Sequence, residues 1–134
     1  MSIIKEELAN VVEDEFGVAY SDDGLSLLKA SENIKKCQIK DGTAHICDWA
    51  FRNCSLLCEV IIPSSVKCID FYAFEGCYSL REVFIDSSIL SIKEGIFKDC
   101  KSLQSIFVPK GKTAKFKELL KKSGCDLSII KERG

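Results

Sequence analysis

Apolar residues recur along the middle of the chain at a fixed step of 23 positions. Phe51, Phe74 and Phe97 keep that step, as do Cys54, Cys77 and Cys100, and Leu57, Leu80 and Leu103. Val60, Val83 and Ile106 continue it, followed by Ile62, Ile85 and Val108. Upstream, Ile46 aligns with Ile69 and Ile92, while Ile34, Cys37 and Ile39 fall where Leu57, Val60 and Ile62 stand one unit later. Self-similarity at this spacing is the signature of a stacked-coil architecture. The pattern gives about three full units and a degenerate first one; Ile96 takes the place of Ala50 and Ala73.

Within a unit, Val60 and Ile62 fall on one face of an extended strand because side chains alternate with period two, and Ile61 then faces the other way. Pro63, Asp86 and Pro109 follow the strands and end them. A second short extended piece over 65–69 leads into the turn that carries Ala73, Phe74 and Cys77. One such coil cannot bury its own apolar face, so stability comes from stacking and the ends need caps. Ile3, Ile4, Leu8, Val11 and Val12 have helical spacing and predict an amphipathic N-terminal helix. The stretch 17–28, with Asp23-Gly24 between apolar runs, predicts a β-hairpin. Phe116, Leu119 and Leu120 lie on one face of a helix over 113–123 that Gly124 terminates, and Leu127 and Ile129 supply a last strand. The expected organisation is a single domain: a helix and hairpin cap over 1–33, repeats over 34–109, and a closing cap over 110–134.

Leu57 through Cys77 resembles the unit of the BspA-like, or Treponema-type, leucine-rich repeats, which reads L-x-x-I-x-[IL]-P-x-x-[VL]-x-x-I-x-x-x-A-F-x-x-C. The resemblance is strong from Ile34 to Pro109. It implies an α/β solenoid, a right-handed coil of short parallel strands capped by an N-terminal helix plus β-hairpin and a C-terminal helix. It also implies a mostly bacterial family, often surface-exposed or secreted, whose members are associated with binding macromolecules. No ligand residues carry over, because the shared positions are the buried ones. The repeat number stands at the low end for the family.

Composition and charge narrow the function. Nineteen basic and twenty acidic residues leave a net charge of −1, with no basic groove for nucleic acid. No signal peptide or run approaching the roughly 18 apolar residues of a membrane span is present. That places the chain in the cytoplasm as written, or outside the cell or on its surface if a leader has been removed. The eight cysteines are Cys37, Cys47, Cys54, Cys58, Cys68, Cys77, Cys100 and Cys125. The column of Cys54, Cys77 and Cys100 sits beside inward positions, where a thiol packs as a small hydrophobe. His45, Cys47, Cys54 and Cys58 form the cluster that most resembles a zinc site, but alternation sends His45 and Cys47 outward and Cys54 inward. No C-x-x-C pair occurs, and one histidine gives catalysis little to build on. No catalytic residue, cofactor or metal is expected, and no small-molecule substrate.

The outward residues of the strands, on the expected concave face, are the candidates for function. Lys36, Glu59, Glu82 and Ser105 form one column; Gln38, Ile61, Phe84 and Phe107 a second; Lys40, Pro63, Asp86 and Pro109 a third. The apolar run Ile61, Phe84 and Phe107 has two readings: cross-strand packing, or a contact patch for a partner. Trp49 and Tyr72 form a second aromatic edge read as packing between coils. The leading expectation is a non-enzymatic protein-interaction module whose candidate partner-binding face is Ile61, Phe84, Phe107, Gln38, Glu59 and Glu82, binding a protein or a second copy of itself. The alternatives are a structural spacer or display segment without its own ligand, and a thiol redox or metal-binding protein.

Overall fold

The computed structural model describes residues 11–86 and 88–133. Two sheets face each other across one apolar core. The first runs in the order β1 (Val11–Glu13), β2 (Val18–Ser21), β3 (Ser26–Ala30), β5 (His45–Ile46), β7 (Cys68–Ile69) and β9 (Ser91–Ile92). The second runs β11 (Ile130–Glu132), β10 (Ser105–Val108), β8 (Glu82–Ile85), β6 (Glu59–Ile62) and β4 (Lys36–Gln38). The chain alternates between the sheets from β3 to β10, one strand in each per coil, so every like-sheet neighbour from β3 onward is parallel. This is the solenoid expected from the 23-residue step.

Register is as regular as the sequence. Cys37, Val60, Val83 and Ile106 are consecutive rungs, and Ile106 is followed by Ile130. All of them are buried, together with Ile46 and Ile69 in the other sheet. Between the sheets, Phe51, Phe74 and Phe97 stack with ring centroids 4.7 and 5.7 Å apart, the offset range aromatic pairs favour.

The turns that join the sheets also carry backbone ladders. The amides of Trp49, Phe51 and Asn53 donate to the carbonyls of Phe71, Ala73 and Glu75 in the next coil, and Tyr72, Phe74 and Gly76 repeat this toward Glu94, Ile96 and Lys98. Such a turn needs left-handed backbone at two places per coil. Trp49, Tyr72 and Gly95 have φ of 55°, 54° and 71°; Asn53, Gly76 and Asp99 have 60°, 75° and 62°. Asn, Asp and Gly tolerate this region, whereas an aromatic residue there is strained. At Gly95 a Cβ would run into the Tyr72 ring, so the third copy of the aromatic column is Gly.

The caps depart in part from expectation. The N-terminal helix falls mostly on residues outside those described; its last expected positions, Val11 and Val12, lie in β1, which pairs antiparallel with β2. The reason is the turn at Asp14, whose Oδ1 accepts the amides of Phe16 and Val18, each at 2.9 Å, with Gly17 at φ 85°. The β2–β3 hairpin forms as expected: Asp23 Oδ1 accepts from Leu25 N and Ser21 Oγ, and Gly24 takes φ 74°. Helix α1 is shorter than expected, Thr113–Leu119, but buries Phe116 and packs against β11. Leu127 and Ile129 form a 3-10 turn instead of a strand, because Asp126 caps it by accepting Ser128 N; the strand starts at Ile130.

The energy of the fold should be concentrated in the stacked rings. Truncating Phe74→Ala, between Phe51 and Phe97, is expected to cost about 3–5 kcal/mol in urea denaturation, against about 0.5–1.5 kcal/mol for breaking the outward Phe84–Phe107 pair.

Candidate functional site

The outer face of the five-stranded sheet brings the predicted residues together. Gln38, Ile61, Phe84 and Phe107 are successive rungs, and Phe107 pairs onward with Lys131 of β11. Phe84 and Phe107 stack at 5.0 Å with planes 17° apart. Ile61, Phe84 and Phe107 are each half-buried while their neighbours Val60, Ile62, Val83, Ile85, Ile106 and Val108 are fully buried. The alternation therefore holds, and the apolar column is turned to the outside.

Its borders are polar. Glu59 and Glu82 are directly opposite each other, an arrangement that destabilises a strand pair when like charges meet. Lys36 reaches Glu59 at 3.9 Å, an exposed pair of little energetic weight. Ser105, expected to be outward in the same column, is buried: Lys131 from the closing strand covers it and donates to its Oγ at 2.9 Å. In the third column Pro63 is buried and Pro109 half-buried, which leaves Lys40 and Asp86 exposed.

Two hollows flank the ladder at Gln38 and Ile61. One, of about 450 Å³, is lined by Gln38, Ile39, Asp41, Gly42, Ile61, Pro63, Ser64, Ser65, Asp86 and Arg133. The other, of about 300 Å³, is lined by Asp14, Phe16, Val18, Lys36, Cys37, Gln38, Glu59 and Ile61. Phe16 is the residue the sequence reading missed. It sits 65% exposed in the β1–β2 turn, outside the 23-residue register that organised the other candidates, and it extends the apolar surface beyond Ile61.

The cysteine column given by the 23-residue step is kept. Cys54, Cys77 and Cys100 line one column, and their thiols face carbonyls of the coil before: Cys77 Sγ to Phe51 O and Cys100 Sγ to Phe74 O, both 3.1 Å, and Cys54 Sγ to Ser31 O at 3.6 Å. These thiols act as donors as well as apolar filling. Burial pushes Cys37 up to about 12 and Cys54 up to about 11. Cys77 is raised by the adjacent Cys100 thiol and by burial. Burial also raises Cys47, Cys68 and Cys125. A thiol held protonated is a poor nucleophile.

His45 does not meet Cys54, which is buried among the core residues. Its Nε2 instead lies 2.8 Å from Asp70 Oδ2 on the next coil, and its Nδ1 3.9 Å from Cys47 Sγ. Trp49 and Tyr72 stack at 6.1 Å, with Arg52 over one ring and Lys98 over the other. Glu75 takes both cations, at 3.3 and 3.8 Å, so this edge ties coils together as expected.

The geometry defines a leucine-rich-repeat solenoid. A family model, the BspA type leucine-rich repeat region, matches residues 26–131 in six copies, and the chain belongs to that family. The match reaches further than the three full units and one degenerate unit of the sequence pattern, taking in β3 and most of β11. No curated protein matches significantly. Among solved structures, a leucine-rich repeat protein of T. pallidum is similar, with TM-score 0.56 and 24% identity over 72% of this chain and 53% of its own. The pneumococcal vaccine antigen PcpA gives TM-score 0.54 and 14% identity over 74% of this chain and 31% of its own. A leucine-rich repeat protein from Bacteroides capillosus gives 0.53 and 17% over 74% of this chain and 98% of its own. This chain thus matches about half the length of the first and a third of the second. These likenesses establish the fold. Among the described residues, no helix is long and apolar enough to cross a membrane.

The raised thiols, with Tyr20 pushed up to about 12 by burial, fix an alkaline limit to stability. Each group ionises at a lower pH in the unfolded chain than in the fold, so the fold holds extra protons between the two values and loses stability as pH rises. Denaturation midpoints should be unaffected by these groups up to about pH 8 and fall progressively from about pH 9 to 12. Cys37→Ala should flatten that fall relative to its own value at pH 7.

Proposed function

We propose that the chain is a non-enzymatic interaction module that binds a protein through the outer face of the five-stranded sheet. The observation that carries this is the half-exposed ladder of Ile61, Phe84 and Phe107, in register and continued by Phe16. Packing within the strands accounts for the contact of Phe84 with Phe107, but not for apolar side chains turned out along three successive coils. Exposed apolar groups gathered in one patch mark interaction sites, and rigid aromatic anchors ringed by polar groups are the usual energetic centre of such sites.

Glu59, Glu82 and Asp86 beside the ladder favour a partner that carries basic groups around an apolar centre. Gln38 lines both hollows, where its amide can bond a partner's backbone. Opposed glutamates cost the free chain stability, a cost that a cationic partner would offset. The same chemistry admits a second copy of the chain, since Lys36, Lys40 and Lys131 lie at the ends of the same columns. No step of this binding calls on His45 or a thiolate.

Sedimentation velocity on the purified chain reads self-association, and capture on immobilised chain, followed by rebinding of the purified captured protein, reads a different partner. The double variant Phe84→Ser, Phe107→Ser is expected to lower the affinity by more than about tenfold while a cooperative thermal transition persists. An undiminished affinity in the double variant would overturn the proposal. So would a chain that stays monomeric and retains nothing, which is how a spacer without a ligand behaves.

A further inference from the structure

We propose that His45, Cys68 and Asp70 form a zinc-binding site on the outside of the six-stranded sheet, the opposite sheet from the protein-binding ladder and independent of it. The three residues come from adjacent coils. His45 and Cys68 are paired rungs of β5 and β7, and Ile46 and Ile69 form the next rung. Both isoleucines are fully buried, so the residues on either side of them turn outward. His45 and Cys47 therefore stand on one coil, and Cys68 and Asp70 beside them on the next.

Among the described residues, the donor atoms of His45, Cys68 and Asp70 all lie within 4.8 Å of one another, and each residue is half-buried. Zinc bonds of about 2.0–2.3 Å in a tetrahedron set donor atoms roughly 3.5 Å apart. The imidazole and carboxylate, now 2.8 Å apart, must open by less than an ångström to admit an ion between them. Side-chain exposure of 36% for His45 and 24% for Asp70 leaves both groups in contact with solvent, from which an ion would enter.

The donor set selects the metal. A thiolate, an imidazole and a carboxylate together suit zinc, whereas calcium and magnesium take oxygen donors alone. Three protein ligands leave a fourth position for water, the pattern of an open zinc site. Cys47, whose sulfur is near the other ring nitrogen of His45, is placed to orient the imidazole, as outer-shell groups do at metal centres. Binding replaces the thiol proton of Cys68 by the metal and releases that proton to solvent. The third coil has Ser91 in the same column as His45 and Cys68, so the set does not repeat down the solenoid.

Titration of the purified, reduced chain with Co²⁺ alone, and then Zn²⁺ in competition, tests the site. The expected result is one ion per chain, with thiolate-to-cobalt charge-transfer absorption and displacement by zinc. Cys68→Ser should abolish the charge-transfer band, and His45→Gln should weaken binding by more than about 100-fold, beyond the 10- to 100-fold that loss of an outer-shell group costs. Cys125→Ser, at the far end of the chain, should leave both unchanged, and circular dichroism checks that each variant is folded. Absence of a charge-transfer band in the wild type would overturn the proposal, as would a band that survives in folded Cys68→Ser.

Discussion

The lateral register between coils is the constraint on which everything else in this protein depends. A coil of 23 residues presents apolar groups above and below and has no core of its own; it becomes stable only when the next coil covers it. That requirement acts on every position at once. Backbone amides must find carbonyls one coil away in both sheets and in the turns, and the rings of Phe51, Phe74 and Phe97 must superpose. A one-residue slip in any strand would turn Val60 and Ile62 outward and Ile61 inward. The left-handed positions at Trp49, Tyr72 and Gly95, and at Asn53, Gly76 and Asp99, show how far this goes: backbone strain is tolerated because the neighbouring coils fix the path.

This constraint explains why the fold was legible and the site only partly so. The buried columns repeat because each faces the same neighbour above and below, and the 23-residue step exposes them directly. The ladder of Gln38, Ile61, Phe84 and Phe107 was equally readable, being the positions between the buried ones. Ser105 was not. It shares the column of Glu59 and Glu82, but the strand that covers it begins at Ile130, in a cap whose residues do not follow the period. Phe16 escaped for the same reason, since its position is set by an Asp14 turn rather than by the repeat. At the other end, Leu127 and Ile129 read as a strand from their alternation, and the local hydrogen bond of Asp126 to Ser128 outcompeted that pattern.

The cysteines show a related limit. The 23-residue period correctly sets Cys54, Cys77 and Cys100 apart from the outward residues, and alternation correctly keeps Cys54 apart from His45. By the period alone, however, positions one coil apart are copies of each other, when they are also neighbours in space. His45 and Cys68 are equivalent by sequence and adjacent by fold, and Asp70 is equivalent to Cys47 while touching His45. A column read only as a set of equivalents conceals the contacts among its members.

In a solenoid the inward columns are held similar by stacking, and the outward ones are free to differ from coil to coil. Any outward column that remains uniform, or any outward neighbourhood that assembles unlike donors, calls for an explanation outside the fold. Ile61, Phe84 and Phe107 are the first case, apolar along three coils where solvent would accept polar side chains. His45, Cys68 and Asp70 are the second, because Ser91 and Lys93 one coil further on show that neither thiol nor carboxylate is needed to build that strand. The two sheets thus present two different chemistries on one scaffold, a greasy ladder bordered by acids and a small set of metal-binding donors. Neither disturbs the core that carries it.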